Sequence, residues 1–172
     1  MTTYHRLETD QQLVDLCDYL ATCEAVALDT EFIRVNTYYP KIGLLQVAVN
    51  EQIYLLDPLT INHWQPFKDL LLASRPQKVL HACSEDLEVL QHWLQVRPQA
   101  LVDTQVAAAF AGLGYSLSYQ ALVLNLLGVH IDKDETRSNW LQRPLTDAQR
   151  RYAALDVRDL LSCYRLLQQQ LQ

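Results

Sequence analysis

The chain has 172 residues, of which 49% are apolar and 20% charged, with a net charge of −6. That is enough apolar material for one substantial core and too much for a disordered chain, so a single domain over residues 1–172 is expected. The excess of acid, 20 Asp and Glu against 14 Lys and Arg, argues against a nucleic-acid binder that works through a broad basic surface. It leaves room for a binder whose carboxylates hold divalent ions.

Thr9-Asp10-Gln11-Gln12 has the form of a capping box, and Leu13, Leu16, Cys17 and Leu20 follow at helical spacing. Ala25 to Leu28 reads as a strand buried on both faces. Tyr38-Tyr39-Pro40-Lys41 makes a loop, and Leu44 to Val49 and Ile53 to Leu56 read as two further strands, giving a meander with its first strand central. Trp64 to Ala73 predicts a helix, Val79-Leu80 a brief strand, and Ser84 a cap for a helix that buries Leu87, Leu90 and Leu94. Leu101-Val102 is the last predicted strand, and an Ala-rich helix from Asp103 or Thr104 to Phe110 follows it. Tyr119 to Leu127 predicts a helix ended by Gly128, and 132–144 a polar loop containing Trp140. Thr146-Asp147-Ala148-Gln149 is a second capping box, opening one long final helix to about Gln168. This order predicts an α/β fold, a five-stranded mixed sheet flanked by helices.

The four cysteines, Cys17, Cys23, Cys83 and Cys163, lack C-x-x-C spacing, so buried free thiols are expected in place of a zinc or redox site. No apolar signal region opens the chain and no stretch of about 18 uncharged apolar residues occurs, so the expected setting is a reducing cytoplasm with no membrane span.

The chemistry is concentrated where the first buried strand runs into Asp29-Thr30-Glu31-Phe32. Side chains alternate across a strand, so Asp29 and Glu31 point to one side and Thr30 to the other. Two residues of rise set the two carboxylates roughly 6 to 7 Å apart at their backbone origins, within reach of one cation. A lone Asp-x-Glu is equally at home in a solvated turn. Asp86 by itself is a helix N-terminal acid favoured by the dipole, and Tyr152 and Asp156, four apart, share one face of the last helix.

Taken together and in order, Asp29-Thr30-Glu31, His81-Ala82-Cys83-Ser84-Glu85-Asp86 and Tyr152-x-x-x-Asp156 resemble the three exonuclease motifs of the DEDD superfamily, in its tyrosine-containing (DEDDy) branch. Thr37-Tyr38-Tyr39-Pro40, His81 to Leu90, Asp103-Thr104-Gln105, Asp132-Lys133 and Trp140-Leu141-x-Arg143-Pro144-Leu145-Thr146 extend the resemblance toward ribonuclease D-like members over nearly the whole chain. The resemblance implies a ribonuclease H-like fold and removal of nucleoside 5'-monophosphates from an RNA 3' end with two divalent ions, Mg²⁺ or Mn²⁺. It implies that Asp29 bridges both ions, that Glu31 and Asp156 complete the ligands of one, that Asp86 holds the second through water, and that Tyr152 orients the attacking water. For the single-stranded RNA 3' end, Phe32 beside the first motif is a candidate stacking ring or else a core aromatic, and Lys133, Arg137 and Arg143, flanking the loop before the last helix, are candidate phosphate contacts or else solvated charges. His81 is a lesser substrate-side candidate with a structural alternative.

Full-length ribonuclease D resembles such a domain followed by helical HRDC-type domains, which nothing after Gln172 supplies. Weak RNA binding and low processivity are therefore expected. A DNA 3'-5' exonuclease of the Werner-helicase or proofreading type would share all five site residues. A non-catalytic RNA-binding module is the reading from another class, and the presence of all four acids and the tyrosine counts against it.

Overall fold

The computed structural model describes residues 1–132 and 138–172. Its elements are β1 (His5–Leu7), α1 (Asp10–Leu20), β2 (Ala25–Ile33), β3 (Lys41–Val49), β4 (Gln52–Leu56), α2 (Gln65–Leu72), β5 (Gln77–Leu80), α3 (Ser84–Leu94), β6 (Leu101–Asp103), α4 (Thr104–Phe110), α5 (Tyr119–Leu127), α6 (Asp147–Arg158) and α7 (Leu160–Gln170). The strands form one mixed sheet in the order β1-β4-β3-β2-β5-β6. β2, β3 and β4 are the antiparallel meander, and β1, β5 and β6 join it in parallel.

The sheet has six strands where five were expected. The extra one, β1, is three residues long and buries only Leu7. Its backbone pairing to β4 holds it in place, and so short a segment carries no alternating pattern to announce it.

Alternation along β2 divides the core in two. Val26 and Leu28 face α1, α2 and α3 with Leu13, Leu20, Phe67 and Leu90. Ala27 faces the opposite layer with Leu122, Val123, Ala153, Val157 and Leu160. Both predicted capping boxes are formed, at Thr9 with Gln12 and at Thr146 with Gln149. Gly128 ends α5 in the left-handed conformation at φ 68°. Cys17, Cys83 and Cys163 are buried and all four cysteines are free thiols. Among the described residues no helix is long and apolar enough to cross a membrane.

Two helix ends depart from expectation. Ser84 does not cap α3; Cys83 is the N-cap residue and has no side-chain cap bond. The Asp103 carboxylate of β6 instead braces the turn that leads into α3, accepting from the backbone N–H of Ala82 at 2.9 Å and of Cys83 at 3.0 Å. The expected long final helix is broken at Asp159. There the Tyr119 hydroxyl enters the helical ladder, donating to the Leu155 carbonyl at 3.0 Å and accepting from the Asp159 N–H at 3.2 Å. In an unbroken helix those two backbone groups would bond each other, so the inserted hydroxyl accounts for the break.

Candidate active site

β2 carries its acids at the end where it leaves the buried sheet. Odd positions continue the Ala27 face, so Asp29 and Glu31 look toward α6, and even Thr30 looks toward α3. The antiparallel register sets Asp29 opposite Gln46 of β3, and a bulge between Glu31 and Phe32 ends the regular alternation. The Gln46 side-chain amide donates to Asp29 Oδ2 at 3.3 Å and to Glu31 Oε1 at 3.0 Å.

α6 brings the C-terminal acid to this face. Ala153, Ala154 and Val157 bury the helix against the sheet, which turns Tyr152 and Asp156 toward the end of β2. A ligand oxygen from each of Asp29, Glu31 and Asp156 lies within 4.8 Å of the others. The loop before α6 fixes its approach. Trp140, fully buried, packs its ring 6.0 Å from that of Tyr152 and sits against Gly43 of β3, where an added Cβ would lie 2.5 Å from the Trp140 carbonyl oxygen. Only glycine permits that approach. Arg143 then bolts the loop down, donating to both Asp57 oxygens at 2.8 Å and to the Gly43 carbonyl at 2.7 Å.

Asp86 approaches from the other side of the sheet, buried in the first turn of α3. Its Oδ1 accepts from the Thr30 hydroxyl at 2.5 Å and from the Thr30 N–H at 3.2 Å. It thus stands just outside the three-acid group, held by the residue between the two β2 acids.

The four acids share an unfavourable electrostatic setting. Burial, and then the charges of Asp86, Glu31 and Asp156, push Asp29 well above the ordinary carboxylate range. Glu31 is raised by burial and by Asp156, against the pull of the Gln46 hydrogen bond. Burial raises Asp86 and Asp156 to about 6 each, although hydrogen bonds from Thr30 and Tyr152 respectively oppose the rise. Among the described residues, no Lys, Arg or His forms an ion pair with any of them. Clustered carboxylates in a poorly solvated place call for protons or a cation. Oxygen donors at this spacing suit a hard divalent ion.

The remaining sequence candidates separate clearly. Phe32 is half-buried and belongs to neither apolar core. His81 is engaged within the protein: Nε2 donates to the Leu117 carbonyl at 2.8 Å, and Nδ1 pairs with the Thr104 hydroxyl at 2.9 Å. Burial lowers its pKa, consistent with a neutral ring that ties β5 to the 111–118 loop, and its structural alternative is the one the geometry favours. Arg143 is committed to Asp57 and backbone carbonyls, so the phosphate contact expected of it is replaced by a structural one. Lys133 and Arg137 lie outside the described residues. Gln46 and Thr30, which bond three of the acids, were not singled out from the sequence; a lone Gln in the apolar run Leu44 to Val49 was the available signal.

Comparison with known proteins agrees with this geometry. A family model described as 3'-5' exonuclease matches residues 4–172. Ribonuclease D of Pseudomonas paraeruginosa is 49% identical over 158 residues, 92% of this chain and 42% of that protein. The crystal structure of Escherichia coli RNase D, an exoribonuclease involved in structured RNA processing, superposes with a TM-score of 0.95 at 44% identity, over 98% of this chain and 45% of that one. Trypanosoma brucei RNase D, crystallised in complex with RNA, gives a TM-score of 0.85 at 25% identity, over 95% of this chain and 62% of that one. The chain spans less than half the length of these two bacterial ribonucleases D. Its sheet order, its acids on β2, α3 and α6 and the family match agree, and the chain belongs to the 3'-5' exonuclease family as a ribonuclease D-like, ribonuclease H-fold member.

Proposed function

We propose that this chain is a divalent-metal-dependent 3'-5' exoribonuclease, releasing nucleoside 5'-monophosphates from single-stranded RNA 3' ends. The observation that carries the reading is the meeting of Asp29, Glu31 and Asp156 oxygens within 4.8 Å, from two distant parts of the chain. In this reading Asp29, Glu31 and Asp156 hold the ions directly, and Asp86, set back on Thr30, completes the set. Two Mg²⁺ or Mn²⁺ ions, when bound, supply positive charge to the entering and leaving oxygens of an in-line displacement at phosphorus.

The protein's own groups do the rest. Burial and the neighbouring carboxylates push the Tyr152 phenol above its ordinary pKa, so it stays protonated at neutral pH. A protonated phenol positions a water by hydrogen bonding and is no base. Phe32 stacks on the terminal base, a contact that tolerates any sequence. Lys133 and Arg137 meet phosphates on the approaching strand.

RNA is favoured as substrate by the relatives, which are ribonucleases D, one of them crystallised with RNA. Matched 5'-labelled RNA and DNA oligonucleotides, incubated with Mn²⁺, test the choice. Faster shortening of RNA from its 3' end is expected; DNA shortened as fast or faster would contradict it.

A further inference from the structure

Gln46 is fully buried on β3, where leucine, valine and alanine occupy the rest of Leu44 to Val49. Its amide nitrogen bonds one oxygen of Asp29 and one of Glu31. Its own carbonyl oxygen, Oε1, is buried with no hydrogen-bond partner among the described residues. With a cation bound the two carboxylates are ionised and only accept, so the amide then presents its two N–H donors to them, the orientation seen here. Reversal would bring three acceptors together. A buried acceptor without a partner is costly, and a methionine of similar length would fill the same space without that cost. The cost is tolerated where the amide meets the acids.

We propose that Gln46 is a positioning residue for the divalent cations, its two N–H groups holding Asp29 and Glu31 turned toward Asp156. The inference rests on the reading of these acids as a metal site. A neutral carboxamide suits the task better than Lys or Arg, since a fixed positive charge there would compete with the ion for the same carboxylates. The bonds engage one oxygen of each acid, and the second oxygen of each is left to other partners. Groups that orient metal ligands in this way are typically worth about 10- to 100-fold in metal affinity.

The test is Mn²⁺ binding by the purified chain without RNA, followed by electron paramagnetic resonance of the free ion, with melting in EDTA measured alongside. Wild type is expected to bind, and D29N to lose binding. A wild type that binds no Mn²⁺, or a D29N that binds as wild type does, would remove the metal-site reading and Gln46's role with it. With that control met, Q46M is expected to bind about tenfold or more weakly, while its EDTA form melts within a few degrees of wild type. Undiminished affinity in Q46M overturns the role of Gln46 alone. Should Q46M not fold, Q46N decides by the same readings, since its amide falls one methylene short of both oxygens.

Discussion

Tyr152 and Asp156 sit one turn apart on α6, and the phenol's hydrogen bond to the carboxylate keeps that acid from rising further. The tyrosine is close to the chemistry without belonging to the three-acid group. Tyr152→Phe is therefore expected to lower the rate of RNA hydrolysis by ~10- to 100-fold. Equal rates for the two proteins would remove its positioning role. Asp57 shows a second residue-level balance. Burial would raise its pKa, but hydrogen bonds from Arg143 and the Leu59 N–H, with the Arg143 charge, bring it below the ordinary value. A carboxylate depressed in the folded state adds stability that is fully present above its unfolded pKa, about 3.9, and lost as pH falls through the folded value. Asp57→Asn should cost about 2 kcal/mol at pH 7, and the gap in melting temperature between variant and wild type should close below about pH 4. A gap of constant size down to pH 3 would contradict this assignment.

The elements differ in how openly the sequence declares them. β2 could be read because its apolar run and alternation are local, and so was the shared face of Asp29 and Glu31. Gln46 could not be placed beside them, since that depends on β2–β3 register, which the bulge after Glu31 helps set and no local pattern encodes. The break between α6 and α7 was equally hidden: neither Gly nor Pro marks Asp159, and the cause is a hydroxyl from α5, 40 residues away. Tyr119→Phe removes that hydroxyl and leaves the Leu155 carbonyl and the Asp159 N–H to find each other. A loss of about 1 to 2 kcal/mol in urea unfolding is expected. An unchanged urea midpoint would show that the two backbone groups close their own bond without strain.

At the scale of the molecule, a net charge of −6 and a carboxylate-lined site give RNA little general attraction. Under the proposed function the four acids and one phenol supply the groups for the chemistry, so activity without strong RNA binding is expected. The expected behaviour of this chain is distributive: with RNA in excess, products shorten together by one nucleotide at a time. Fully degraded molecules beside untouched ones would mark a processive enzyme and contradict the expectation.

All of this depends on the acids of β2, α3 and α6 acting as one metal-dependent centre. The most direct measurement compares wild type and Asp29→Asn, each confirmed folded by circular dichroism, on a 5'-labelled single-stranded RNA with Mn²⁺ and with EDTA. Wild type should shorten the RNA from its 3' end, releasing nucleoside 5'-monophosphates only with the metal, and Asp29→Asn should be slower by ~100-fold or more. Hydrolysis that persists in EDTA, or an Asp29→Asn protein as fast as wild type, would contradict the account.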